Sequence, residues 1–201
     1  MNERSSTSKR AILISLEGAD GLGKSTQAGH IKKALEATSK KVAIAKLPAY
    51  ETFTGKIISR MLKNGTAVRH PNIFQTFQWL DKQIFQITKL KKLVRENDFV
   101  LLDRWHASMW AYGLAGGANE KLTNYYVDSI REPHAILVFY GSCKRSGADD
   151  SYEANQHYQK SVALHYVLWS CIRSNNSFPI NADQPIQIIT QEALAAIYSI
   201  C

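Results

Sequence analysis

The chain has 201 residues, 45% of them apolar, which suits one domain with a sizeable core and excludes disordered and collagen-like classes. No apolar run reaches the ~18 residues that a membrane span needs. The formal charge of +8 is scattered over lysines such as Lys32, Lys33, Lys40, Lys41, Lys89, Lys91 and Lys92, without an aromatic-interleaved basic tract, so it reads as solvated helix faces and not as a nucleic-acid surface.

Met1 to Arg10 is polar, lacks the apolar stretch of a secretory signal and reads as a flexible tail ahead of a single domain, 11–201. Ala11 to Glu17 (AILISLE) reads as a buried central strand that runs into a glycine-rich segment. Lys24 to Ala37 reads as a helix, Lys41 to Leu47 (KVAIAKL) as a second strand stopped by Pro48, and Gly55 to Lys63 as a helix. Pro71 to Glu96 reads as one long helix, with Ile73, Phe77, Leu80, Ile84 and Ile87 forming an apolar stripe. Asp98 to Asp103 (DFVLLD) is a buried strand; Asn119 to Ile130 is a helix with Asn119 as its cap; His134 to Tyr140 (HAILVFY) is a fourth strand. A polar loop follows, Gly141 to Asp150, then a helix from Ser151 to Arg173, a short strand from Ile186 to Ile189 and a closing helix from Gln191 to Ile200. Strands alternating with helices predict an α/β fold, a parallel sheet covered on both faces. Cys143, Cys171 and Cys201 are widely spaced, with no CxxC pair or zinc spacing, as expected of reduced thiols in a cytoplasmic protein.

Gly18-Ala-Asp-Gly-Leu-Gly-Lys-Ser25 fits GxxxxGK[ST] at every fixed position, and it lies between a strand and a helix. The glycines let successive amide N–H groups turn inward onto phosphate oxygens. The helix start adds a partial positive charge. Lys24 would reach the outer phosphates as a point charge, and Ser25 would offer its hydroxyl to Mg²⁺. Gly18, Ala19, Asp20, Gly21, Leu22, Gly23, Lys24, Ser25 and Thr26 are thus the candidate triphosphate-binding residues. The motif says nucleotide binding; alone it does not say which reaction.

The strand DFVLLD ends in Asp103-Arg104, at the strand end where open α/β sheets place their ligands. Asp103 is a candidate Mg²⁺ carboxylate and Arg104 a planar fork for phosphate oxygens. The alternative is that Asp103 only caps the next helix and Arg104 is a surface charge.

LEGADGLGKSTQ (16–27), LPAYETFTGKII (47–58), DRWHASMWAYG (103–113) and DSYEANQHYQKSV (150–162), with a weaker INADQPI (180–186), together resemble the thymidylate kinase family, with a lid closer to eukaryotic and poxviral members. The resemblance runs from about Ala11 to the C-terminus. It implies the three-layer fold of P-loop NTPases, a five-stranded parallel sheet with a short lid at about 141–152, and transfer of the γ-phosphoryl group of MgATP to dTMP. It implies that Asp20 meets the acceptor's 3′-hydroxyl, that Arg104 grips its phosphate, and that Ser108 and Tyr112 lie near base and sugar. Tyr152 and Glu153 would close the lid over the acceptor; Asn181 to Pro185, with Asp183, would lie beside adenine; Pro48 would follow a cis bond. The base would stack on Phe77, or on Trp79 if the alignment slips, against a plain core role for Phe77. Family members form homodimers through their helices, and one is expected here.

The pattern breaks at three places. Tyr50 stands where the family has a phosphate-clamping arginine, and Lys46, Arg60 or a lid residue would have to compensate. The base-reading arginine one turn beyond the stacking ring is absent, with Asp81 or Lys82 in that region, so another or a modified deoxypyrimidine stays open as acceptor. Ser151 replaces a lid arginine and Gly21 a loop arginine, leaving Lys144 and Arg145 as candidates to stabilise the transferring group. The rival readings are a deoxynucleoside kinase, which would need a general base that Leu47-Pro48-Ala49 does not supply, a nucleotide-binding protein with decayed catalysis, and a nucleic-acid-binding module.

Overall fold

The computed structural model of the protein describes residues 11–142, 156–172 and 176–201; the expected tail and most of the expected lid lie outside them. Its elements, in chain order, are β1 (Ile12–Gly18), α1 (Lys24–Glu36), β2 (Val42–Lys46), α2 (Phe53–Lys63), α3 (Thr66–Arg69), α4 (Pro71–Phe85), α5 (Lys91–Glu96) and β3 (Phe99–Asp103). They continue with α6 (His106–Ala115), α7 (Glu120–Asp128), β4 (Ala135–Tyr140), α8 (Gln156–Ile172), β5 (Ser177–Asn181) and α9 (Ile186–Tyr198). The strands form one sheet in the order β2-β3-β1-β4-β5, every pair parallel.

The central strands read as continuous apolar runs because both their faces are covered. Leu13, Val100, Leu102, Ile136 and Val138 point to one face, where they meet Phe85, Leu90, Met109, Trp110, Val162 and Trp169. Ile14, Leu16, Leu101, Leu137 and Phe139 point to the other, against Ile31 and Leu35 of α1 and Ile189, Ala193 and Ile197 of α9. A smaller cluster of Ile58, Met61, Ala67 and Phe74 joins α2, α3 and α4 beside the first core. The expected layering is therefore present.

Three local expectations need correction. The chain from Pro71 to Glu96 is helical throughout, but Gln86–Leu90 forms a π-helical turn between α4 and α5. Phe85, Leu90 and Val94 are all buried, and a five-residue step between the first two fits an i→i+5 turn, not an α-helical one. Ile186–Ile189 is not a strand: it is the first turn of α9, entered from Pro185, and the fifth strand is Ser177–Asn181. Pro179 hides that strand in the sequence, yet β5 is an edge, where a residue without an N–H is tolerated. The stripe of Ile73, Leu80, Ile84 and Ile87 does not face the core; these side chains are exposed, and Phe74, Gln75, Asp81, Lys82 and Phe85 face inward. The helix after Asp103 is α6, whose bounds the sequence does not display, because burial all round its first two turns erases the amphipathic period.

Candidate functional site

The phosphate loop follows β1 and opens α1. Gly18, Gly21 and Gly23 have φ of 133°, 78° and 75°, values that side-chain-bearing residues rarely adopt. At Gly18 a Cβ would also lie 2.4 Å from the Phe139 carbonyl, so the loop hugs β4 only without a side chain there. Gly23 is the N-cap of α1, and no side chain caps it, which leaves the first amides of the helix turned to the loop. Lys24 is buried and its ammonium donates to the Ala19 carbonyl at 2.6 Å. The Ser25 hydroxyl donates to Asp103 at 2.5 Å, joining the end of β3 to the loop.

Arg104 leaves β3 with φ 69°, a left-handed backbone that is uncommon in a residue with a side chain and typical of functional positions. This turn aims the guanidinium back at the loop, where it pairs with the Asp20 carboxylate and donates to the Gly18 carbonyl at 3.4 Å. The Tyr112 hydroxyl donates to the other Asp20 oxygen at 2.6 Å, and the guanidinium lies 5.0 Å from the Tyr112 ring centre. Burial opposes the charge on Arg104, but Tyr112, Tyr166 and Glu17 more than offset it and keep the guanidinium charged.

Glu17 is a site residue that the sequence reading passed over. Its buried carboxylate accepts from the Trp105 amide at 2.9 Å, the Ser108 amide at 3.0 Å and the Ser108 hydroxyl. It therefore caps α6, whose own N-cap, Trp105, makes no side-chain cap bond. Desolvation holds its pKa above the usual carboxylate range, and the Ser108, Arg104 and Trp105 contacts offset only part of that rise. The signal available in the sequence was a charge ending an otherwise apolar strand.

Asp20 and Arg104 also line a cavity that is open to solvent. Leu47, Pro48, Tyr50 and Leu62 form one wall; Phe74, Gln75, Gln78 and Lys82 of α4 form the second; Ser108, Met109, Tyr112 and Tyr158 form the third. The Leu47–Pro48 bond is cis. A loop with the phosphate-binding sequence thus shares a guanidinium with an aromatic-walled cavity.

Comparison with known proteins gives this arrangement a family. The family profile described as thymidylate kinase matches residues 16–193. The chain belongs to the thymidylate kinase family. A thymidylate kinase of African swine fever virus is 33% identical over 118 residues, covering 58% of this chain and 48% of that protein. A putative thymidylate kinase of Invertebrate iridescent virus 6 is 26% identical over 187 residues, covering 91% and 86%. The Arabidopsis thaliana enzyme is 28% identical over 170 residues, covering 81% and 62%. The alignment to the African swine fever virus protein takes in about half of that protein's length. Among solved structures, a thymidylate kinase from Candida albicans, described as having broad substrate specificity, superimposes with a TM-score of 0.77 at 23% identity, over 94% of this chain and 92% of that one.

Within this thymidylate kinase fold, Asp20, Pro48, Tyr50, Lys82, Arg104, Ser108 and Tyr112 line the cavity. Phe77 does not. It packs against the cluster of Ile58, Met61 and Phe74, and Phe74, one turn earlier, supplies the aromatic wall. Trp79 is also elsewhere, stacked on Tyr126 at 4.9 Å with its indole donating to Ser129. The resemblance placed the stacking ring at Phe77, but the cavity face of α4 carries Phe74 and Gln78, one residue round the helix from Phe77, and the core role weighed for Phe77 is the one it has. Neither Lys46 nor Arg60 lines the cavity; both are exposed. Asn181 ends β5 and Asp183 follows it by two residues; Asp183 accepts from the Ser142 amide at 2.9 Å, and the Asp183 amide donates to Asn181 at 3.0 Å. Lys144, Arg145 and Tyr152 fall outside the described residues.

Proposed function

We propose that this chain transfers the γ-phosphoryl group of ATP to the 5′-phosphate of dTMP, giving ADP and dTDP. The observation that carries the reading is the shared position of Arg104, one face on the phosphate loop and the other on the acceptor cavity. An acceptor phosphate held there lies next to the triphosphate, and holding both converts a bimolecular encounter into a local one. The acceptor is already an anion, so no strong general base is needed. That fits the end of β2, where Leu47 and Pro48 line the cavity, Leu47-Pro48-Ala49 carries no carboxylate, and Glu51 beyond it is not among the lining residues.

The chain's own residues would work by position and charge. The loop amides and Lys24 hold the triphosphate. Arg104 holds the acceptor phosphate. Asp20, between Arg104 and Tyr112, is placed to receive a sugar hydroxyl in exchange for one of those partners. Tyr112 crowds the sugar and favours a deoxynucleotide. Phe74 stacks the base. Ser25 and Asp103 form a hard-oxygen pair with one carboxylate, which suits Mg²⁺, an ion that keeps several waters and leans on substrate phosphates. When bound there, the ion would neutralise charge on the outer phosphates. Asn181 and Asp183 would flank adenine, and Lys144 and Arg145, in a lid at about 141–152, would neutralise the transferring group. Residues 11–201 act as one domain in this scheme, in the cytoplasm.

A homodimer is part of the proposal. Ile73, Leu80, Ile84 and Ile87 leave one apolar stripe of the α4 helix and its continuation in solvent, 37–62% exposed. A self-complementary stripe of that kind is what a two-fold contact buries.

The test is steady-state turnover with MgATP and a panel of dTMP, dUMP, dCMP and thymidine. ADP release with the monophosphates and none with thymidine is expected. Tight nucleotide binding without ADP release for any acceptor would refute the reading.

A further inference from the structure

The cavity wall contributed by α4 carries two glutamines, Gln75 and Gln78, three residues apart and so on one helix face. Their amides are tied by opposite ends. The Gln75 amide nitrogen donates to the Met109 carbonyl at 2.6 Å, so its oxygen is the end left over. Gln75 reaches Met109 because position 113 is glycine: a Cβ there would sit 1.5 Å from the Gln75 nitrogen. Gln78 is tied the other way. The Lys82 ammonium, 3.3 Å from Gln78 Oε1, has donors only, so it can meet nothing but the amide oxygen and leaves the nitrogen over. Among the described residues, neither leftover end has a hydrogen-bond partner.

We infer that Gln75 and Gln78 read the Watson–Crick edge of the acceptor base as an acceptor–donor pair, with Lys82 as the positioning residue that fixes the Gln78 amide, and that the pair selects 4-keto pyrimidines. A base stacked on Phe74, whose ring lines the same wall, presents that edge to the helix. Thymine and uracil offer N3–H and O4, a donor and an acceptor, which match the Gln75 oxygen and the Gln78 nitrogen. Cytosine offers the reverse, an unprotonated N3 and an amino group, and each would face its own kind. Mismatched polar groups in a desolvated site are left unpaired, which is why hydrogen-bond readout discriminates more strongly than shape alone. Lys82 is buried, and its neighbours in charge are Asp81 on its own helix and Glu17 from β1.

This inference rests on the dTMP kinase reading, and the experiment separates the two. Dissociation constants for dTMP, dUMP and dCMP are measured by calorimetry beside kcat/KM for each, in the wild-type protein, Gln78→Glu and Lys82→Met. The wild type is expected to favour dTMP and dUMP over dCMP by at least tenfold in both quantities. Gln78→Glu turns the leftover donor into an acceptor, so the dTMP-to-dCMP ratio should fall at least tenfold. Lys82→Met frees the amide to turn over, so the ratio should fall toward one through a gain for dCMP, a change that a purely structural lysine would not produce. Should Gln78→Glu fail to fold, Gln78→Met removes the donor without adding charge and is read by the same ratio. Ratios unchanged within twofold in folded Gln78 variants would overturn the amide assignment and leave the kinase reading in place. Selective binding of dTMP that Gln78→Glu abolishes, with no turnover of any acceptor, would do the opposite. A wild type that binds no pyrimidine nucleotide overturns both.

Discussion

Arg104 combines a left-handed backbone with a half-buried guanidinium that touches both the phosphate loop and the cavity proposed for the acceptor. Strain of that kind costs on the order of 1–3 kcal/mol and survives only where the surroundings enforce it, here the Arg104 amide donating to the Leu16 carbonyl at 3.1 Å. Lysine keeps the charge but not the fork, so Arg104→Lys should lower kcat/KM for dTMP by about 10²-fold, with the KM for ATP little changed. Steady-state kinetics in both substrates checks this. Lys82 offers a pH test. Desolvation lowers its pKa from 10.5 to about 8, against the pull of Asp81 and Glu17. An unfolded lysine keeps its proton to higher pH, so the folded state is penalised wherever Lys82 is charged, fully below pH 8, and the penalty fades as pH rises toward 10.5. Lys82→Met should therefore raise stability near pH 7, by on the order of 3 kcal/mol. The gain should shrink steadily from pH 8 upward. Urea melts of both proteins from pH 7 to 10 measure it, and a gain that does not vary with pH would reject the buried-charge account.

At the scale of elements, α2 is pinned to α4 by a buried bond from the Thr54 hydroxyl to the Asp81 carboxylate at 2.5 Å. Asp81 Oδ2 has no partner among the described residues, so Thr54 bears most of the duty of satisfying that carboxylate. Thr54→Val removes the donor at nearly constant volume and should cost about 1–3 kcal/mol in a denaturant melt. It should also weaken dTMP binding, because α4 carries the cavity wall proposed to face the base. The sequence displayed some of these elements and concealed others for physical reasons. The phosphate loop and Asp103-Arg104 were legible because their spacing is dictated by a ligand and not by packing. The rotation of α4 was not. Its exposed face is apolar and its inward face carries Gln75, Asp81 and Lys82, so hydrophobic periodicity points the wrong way round. The bounds of α6 were concealed by burial on all sides, and its cap by distance, since Glu17 lies 88 residues from the Trp105 amide it serves. β5 was concealed by Pro179, which only an edge strand accepts.

On the scale of the molecule, the inverted α4 has a consequence beyond the site. A helix that spends polar side chains inward and apolar ones outward needs something over its outer face. Each of Ile73, Leu80, Ile84 and Ile87 is at least 37% exposed, and burying such side chains contributes roughly 1.5–3 kcal/mol apiece when complete. A two-fold contact along α4 uses each residue twice, so two charges per chain place four in the interface. Leu80→Glu combined with Ile84→Glu should therefore convert a dimer into a monomer in sedimentation velocity at micromolar concentration. Phe74 and Gln78 lie on the opposite, inward face of the same helix, so a loss of dTMP binding in that monomer would show that the contact also holds the base wall in place. A second apolar run, Leu164, Val167, Leu168 and Ile172 on α8, is exposed as well and serves as the internal control. If Val167→Glu abolishes the dimer and the α4 pair leaves it intact, the contact belongs to α8 and the argument from the inverted helix fails.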